Sequence, residues 1–160
     1  MEVVKHKYII ACLDKDYIEA KKLFREYAAL IDIDLSFQKF DEELSGINKM
    51  YASPTGGIIL YKTDKIFAGC IAIRRIENGI CELKRMYVNP QFQGRGIGKE
   101  LLQKALQLAK DYNYELMRLD TLNHMTRAIH LYKQHGFYEI MPYYFNPNTT
   151  ALFFEKRLKE

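Results

Sequence analysis

Between Gly79 and Tyr112 the hydrophobic period of the chain changes across a loop that carries three alternating glycines, Gly94, Gly96 and Gly98. Ahead of the loop, Gly79 to Val88 is a β-rich run. Behind it, Leu101, Leu102, Ala105, Leu108, Ala109 and Tyr112 recur at helical steps. A strand passing through a glycine-rich turn into a helix leaves the first N–H groups of that helix without partners and points the positive end of its dipole at the loop. The glycines let the backbone take angles closed to other residues and come close to a ligand, so the segment reads as an anion seat suited to phosphate, with Arg95 and Lys99 adding charge at its rim.

Two familiar phosphate loops fit poorly. In a P-loop alignment on Gly98-Lys99, Gln93 takes the place of the first glycine and Glu100 that of the magnesium-binding hydroxyl. The dinucleotide fingerprint fails because Lys99 replaces its third glycine and an antiparallel meander precedes the loop in place of a βαβ unit.

The remaining chain supplies the frame. Tyr8 to Leu13 reads as a first strand, and Asp16 followed by Glu19 as a capping box that opens a helix with Ala20, Leu23, Phe24, Tyr27, Ala28 and Ile31 on its buried face. Phe37 to Ile47 reads as a second helix. Strands are expected at Ile58 to Lys62 and Ile66 to Arg74, with turns at 63–65 and 77–79, then at Glu115 to Leu122, Phe137 to Met141 and Ala151 to Arg157. A last helix runs from about Met125 to Gln134 and stops at Gly136. The 160 residues, 48% of them hydrophobic, suffice for one core, and the expectation is a single domain over 1–160.

Composition narrows the partners. The net charge of +4 is mild and its basic residues are scattered, which demotes nucleic acid. No apolar stretch approaches the ~20 residues of a membrane span, so neither export nor membrane insertion is expected. Cys12, Cys70 and Cys81, without CxxC spacing and odd in number, read as reduced core thiols of a cytoplasmic protein. His6, His124, His130 and His135 lack HExxH spacing or cysteine partners and read as solvent-facing or capping residues; no metal is expected. Asp32, Asp34, Asp41, Glu42 and Glu43 read as a solvated helix face. Tyr143-Tyr144-Phe145 suits either the lining of a pocket or core and turn.

The segment Glu82-Leu-Lys-Arg-Met-Tyr-Val-Asn-Pro-Gln-Phe-Gln-Gly-Arg-Gly-Ile-Gly98 resembles the GNAT N-acetyltransferase superfamily, whose coenzyme A loop Gln/Arg-x-x-Gly-x-Gly/Ala is matched by Gln93, Gly96 and Gly98. Ala128, Leu131-Tyr132 and Gly136-Phe137 look like its second cofactor-side motif, and the element order agrees from about Gly57 to Arg157. The resemblance implies an α/β fold with a mixed, mainly antiparallel twisted sheet of about six or seven strands flanked by about four helices. It implies acetyl-CoA as cosubstrate. Met86, Tyr87 and Val88 would end a strand that splays from its neighbour and meets the pantetheine arm, and the amides of Gln93, Gly94, Arg95, Gly96, Ile97, Gly98 and Lys99 would hold the pyrophosphate. The acceptor would be the primary amine of a small molecule or peptide, acetylated directly in a ternary complex.

Two catalytic residues come with the resemblance: Tyr132 as the acid that protonates the departing thiolate, and Glu82 as the base that takes the ammonium proton, commonly through water. Strand alternation would set Glu82, Lys84 and Met86 on one face unless a bulge intervenes. Many family members carry Asn three residues before the equivalent of Ala128, where this chain has Met125; Thr121 and Asn123 read as caps of the last helix. An acyl-CoA sensing module without catalysis is the alternative from another class, and a homodimer through an exposed terminal strand stays open.

Overall fold

The computed structural model describes residues 7–64 and 66–159, so His6 and the turn residue Lys65 lie outside the described residues. Seven strands, β1 (Lys7–Ile10), β2 (Gly57–Lys62), β3 (Phe67–Glu77), β4 (Ile80–Val88), β5 (Leu116–Leu122), β6 (Tyr138–Ile140) and β7 (Ala151–Arg157), form one sheet in the order β1-β2-β3-β4-β5-β7-β6. Every neighbouring pair is antiparallel except β4 and β5. That pair is joined by the crossover helix α4 (Ile97–Asp111), because a parallel partner must be reached from the opposite end of the sheet.

Helices cover both faces, and the strands are correspondingly apolar on both sides. In β2, Ile59 and Tyr61 join the core under α4, whereas Ile58 and Leu60 join the core under α1 (Asp14–Ile31). Leu101, Leu102, Ala105 and Ala109 anchor α4 without solvent exposure, and truncating either leucine to alanine is worth about 2–5 kcal/mol. On the other face, Ala20, Leu23 and Phe24 of α1 are buried with Leu44 and Ile47. Helix α5 (Thr126–Gln134) lies on the α4 side through Ala128, Ile129 and Tyr132 and ends as expected at Gly136, whose φ of 87° suits a residue without a Cβ.

Several expectations change. The helix anticipated over Phe37 to Ile47 is a 3₁₀ turn at Ser36–Gln38 followed by α2 (Phe40–Ser45) and α3 (Ile47–Met50). Lys39, at φ 56°, interrupts the helical ladder, and the described residues hold five α-helices, in line with the about four expected. Asp16 is not the residue that begins α1; it sits in the first turn, and its carboxylate accepts from the N–H groups of Cys12 and Leu13. Cys12 is exposed because β1 ends at Ile10, while Cys70 and Cys81 are buried. No side chain caps the start of α5, where Thr121 Oγ1 instead contacts Met125 Sδ at 3.7 Å, whereas at its end the His135 ring bonds the Leu131 carbonyl at 2.8 Å.

Candidate active site

β4 and β5 stay paired only through Ile80–Leu116, Cys81–Met117 and Glu82–Arg118. Beyond Glu82 the edge of β4 that faces β5 has no strand against it, although β4 remains paired with β3 as far as Val88. This opening between parallel strands exposes backbone groups that a ligand can use.

A bulge shapes β4 at the same place. Cys70 faces Tyr87 but Ala72 faces Lys84, so β4 spends an extra residue, and Arg85 takes φ 58°. The alternation is thereby reset: Cys81 and Leu83 point to the α4 face, as do Met86 and Val88, whereas Tyr87 belongs to the α1 face. Met86 is therefore not on the face of Glu82 and Lys84. Arg85 is turned into the protein, where it meets Glu43 at 2.7 Å and 3.0 Å and lies over the rings of Phe40 and Tyr27. Glu43, read as part of a solvated face, is 1% exposed and also accepts from Tyr51.

A cavity of about 500 Å³ fills the opening. Its walls include Met86, Tyr87 and Val88 from β4, Gln93, Gly94, Gly96, Ile97 and Gly98 from the loop and α4, and His124, Arg127, Ala128 and Leu131 from the α5 side. Gly94 and Gly96 both have φ 80°, and a Cβ added at either would meet nothing within 4 Å. Their need is thus conformational, and the space before the free amides of α4 is open, which suits an anion at that helix end. Arg95 and Lys99 are exposed and are not part of the wall; Arg95 instead bonds the Gln91 carbonyl at 3.3 Å and stacks on Phe92. Gln93 ties the loop back to the strand by donating to the Val88 carbonyl at 3.0 Å. His124, read as a solvent-facing or capping histidine, and Arg127, which sequence reasoning passed over, are exposed residues of the cavity wall at the start of α5.

A second, smaller cavity of about 50 Å³ adjoins the first, sharing Tyr27, Ile31, Met86, Met125 and Ala128 as walls. Tyr27 and Ile31, expected in the core, are half-buried because this end of α1 overhangs the cleft. Tyr132 lines the smaller cavity, with its ring 5.7 Å from that of Phe137. Burial pushes its hydroxyl well above the usual phenol range, so it stays protonated.

Asp120, on β5 just past the last β4–β5 pair, lines the same cavity. It accepts from Tyr144 at 2.5 Å and from Asn146 at 3.3 Å, both at Oδ2. Burial raises its carboxyl, the Tyr144 hydrogen bond pulls it back and the charge of Glu82 adds to the rise, leaving it above the ordinary aspartate value. Glu82 is instead enclosed off both cavity walls, bonded by Arg74 at 3.1 Å and Tyr143 at 2.7 Å with Lys84 at 3.5 Å. Burial pushes its carboxyl upward, but Lys84 and Arg74 overcome this and hold it below its ordinary value. Tyr143 thus seats the buried carboxylate of Glu82 and Tyr144 the half-buried one of Asp120, while Phe145 is 85% exposed. Among the described residues no group of histidine, cysteine and carboxylate side chains gathers to hold a metal, and no helix is long and apolar enough to cross a membrane.

The sequence and the fold of this chain have counterparts among known proteins. The model of the acetyltransferase (GNAT) family matches residues 20–137. An uncharacterised N-acetyltransferase of Schizosaccharomyces pombe is 36% identical, the alignment covering 84% of each chain. The crystal structure of a GNAT-family acetyltransferase from Staphylococcus aureus superposes with a TM-score of 0.77 at 25% identity over 96% of this chain and 100% of the other. That of a PaiA N-acetyltransferase from Thermoplasma acidophilum, solved in complex with coenzyme A, has a TM-score of 0.69 at 20% identity over 94% and 99%. With its family match spanning the sheet opening and the loop at Gln93 to Gly98, the chain belongs to the GNAT family and is an acyl-CoA-dependent N-acyltransferase.

Proposed function

We propose that the protein moves an acetyl group from acetyl-CoA directly to a primary amine, with the thioester held where the two cavities meet. The observation that carries this reading is their junction: one cavity opens onto free strand edge and helix N-terminus, and the other brings a protonated phenol and a carboxylate of raised pKa to the far side of the same wall. The coenzyme A complex of the Thermoplasma protein supports a coenzyme A site in this fold, and the larger cavity has the room for it.

In the transfer, the amine lone pair forms a bond to the thioester carbon while the carbon–sulfur bond breaks; one amine proton leaves with a base and the thiolate gains a proton from an acid. Backbone N–H groups of the unpaired β4 edge near Met86 to Val88 polarise the carbonyl oxygen. Tyr132, uncharged throughout the working pH range, supplies the proton to sulfur. Asp120 suits the base better than Glu82, because it lines the cavity and holds a proton more readily than an ordinary aspartate, whereas Glu82 is off the wall and tied up as an ion. Glu82 then acts at one remove by fixing Tyr143 beside Tyr144.

Thiol release from acetyl-CoA over a panel of primary amines tests the reading. The parent chain releases thiol in an amine-dependent way, and Tyr132→Phe lowers kcat by about 10²-fold or more without weakening acetyl-CoA binding. Release that ignores the amine would overturn transfer, and an unchanged kcat in the variant would remove Tyr132 from it.

A further inference from the structure

Asp120 takes both of its hydrogen bonds at one oxygen. Tyr144 donates to Oδ2 at 2.5 Å and Asn146 Nδ2 donates to the same oxygen at 3.3 Å, whereas Oδ1 accepts from no described residue. Oδ1 is nonetheless not sealed off, because Gln38 Oε1 is the one buried side-chain nitrogen or oxygen among the described residues that lacks a partner. Asp120, a residue of the smaller cavity's wall, therefore has one oxygen held and one reachable.

The short bond to Tyr144 has the length of a charge-assisted O–H···O⁻ contact. Which way its hydrogen points depends on the other neighbours of Tyr144. Gln38, from the 3₁₀ turn between α1 and α2, donates from Nε2 to the Tyr144 oxygen at 3.0 Å, and Asn146 Nδ2 donates to it at 3.3 Å. Two donors occupy the lone pairs of that oxygen, so its own hydrogen goes to Asp120. Turned over, the Gln38 amide would present its oxygen and compete for that hydrogen. It is held the other way although this leaves Oε1 buried without a donor. A buried amide oxygen left unsatisfied calls for a reason, and the fixed direction of the Tyr144 hydrogen supplies one.

We infer that Tyr144 is a positioning residue for Asp120 and that Gln38 commits its hydrogen: together they hold the base as an ion at Oδ2 and leave Oδ1 to take the proton of the amine. The inference rests on the acyl-transfer reading above, in which Asp120 is the base. As the nitrogen–carbon bond forms and the carbon–sulfur bond breaks, Oδ1 gains the amine proton, the Tyr144 hydrogen stays on its own oxygen, and the sulfur receives its proton from Tyr132. Burial pushes the Tyr144 phenol above its usual range and keeps it protonated, and the Gln38 hydrogen bond makes it a better donor. The other titratable groups that act on Asp120 are Glu82, Lys84 and Arg85 of β4, Tyr27 of α1, Tyr132 of α5 and Tyr143 beside Tyr144. None of these hydrogen-bonds it, so replacing Tyr144 removes its shortest hydrogen bond and leaves every neighbouring charge in place.

The test follows Asp120 itself, by NMR titration of labelled aspartate carboxyl carbons with its resonance assigned by loss in Asp120→Asn, and compares the parent with Tyr144→Phe and Gln38→Met. Both substitutions should move the Asp120 midpoint to higher pH, Y144F further than Q38M, because a hydrogen bond to the ionised form is lost in one and weakened in the other. In the thiol-release assay with n-butylamine, the acid limb of kcat/KM should move with the midpoint, so that kcat/KM below the parent's limb falls about tenfold in Y144F. An unmoved midpoint in either variant, whatever happens to the melting temperature, overturns the inference and leaves acyl transfer standing. A moved midpoint with an unmoved limb overturns Asp120 as the base, and the role of Tyr144 with it.

Discussion

Arg85 and Glu43 face one another two-pronged, Nη2 2.7 Å from Oε1 and Nε 3.0 Å from Oε2, and the arginine does so from a bulged position with φ 58°. A left-handed conformation costs a non-glycine residue about 1–2 kcal/mol. The buried pair holds Arg85 in that conformation, and the conformation ends the regular face of β4 where the strand begins to line the cleft. The ion pair therefore helps shape the cleft, whose smaller cavity Arg85 itself lines.

Glu43→Gln removes the negative half of a pair whose side chains are 3% and 1% exposed. Leaving the guanidinium uncompensated should cost about 3–5 kcal/mol, read as a lower urea midpoint. The pH dependence has a definite sign. Burial pushes the Glu43 carboxyl up, but Arg85 overcomes this and holds it below the ordinary 4.5. The stabilisation is thus complete above about pH 4.5 and is lost as pH falls through the depressed value. The parent and Glu43→Gln should converge in stability on acidification; a constant gap down to strongly acidic pH would contradict the assignment.

Asp120 and Glu82 are separable by their pH profiles. The parent's kcat/KM should rise with pH through an acid limb set by Asp120, placed above the ordinary aspartate value of 3.8. Asp120→Asn should abolish that limb and lower kcat/KM by about 10²–10⁴-fold. Glu82→Gln should keep the limb while lowering the melting temperature, because Arg74 and Lys84 lose their buried counter-charge. The reverse pattern would return the base to Glu82.

The glycines of the loop should differ in how they fail. Gly96→Ala forces an alanine to φ 80° at the residue that opens α4, and the strain should lower both melting temperature and coenzyme A affinity. A Cβ at Gly98 meets nothing nearer than Val88 Cγ2 at 3.9 Å. Gly98→Ala should fold as well as the parent yet bind coenzyme A more weakly, since the new methyl group enters the wall of the cavity. Equal coenzyme A affinity in parent and Gly98→Ala, measured by calorimetry, would place the cosubstrate elsewhere.

The glycine-loop side of the cleft was legible because its signals are local. The loop needs φ 80° at Gly94 and Gly96, and α4 needs apolar residues every three or four positions, so both requirements are written within about twenty consecutive residues. The same local reading erred where one residue broke the pattern. Lys39 in a left-handed conformation divided an apparently continuous helix, and the bulge at Arg85 moved Met86 to the face opposite that of Lys84.

The opposite side of the cleft had no such local signal. Gln38 reaches Tyr144 across 106 positions, Tyr144 reaches Asp120 across 24, and Arg85 reaches Glu43 across 42. Each of these residues is, by itself, an unremarkable polar residue in a turn, loop, strand or short helix, and Glu43 carried the marks of a solvated surface. The sequence by itself determined the strand and helix periods, the glycine loop and hence the family resemblance, because those depend on backbone conformation and on the apolar face each segment must bury. Which carboxylates are buried, which amide oxygen is left without a donor and where the second cavity lies were decided only by the tertiary structure. They depend on the order in which the sheet assembles distant segments and on where β4 and β5 part.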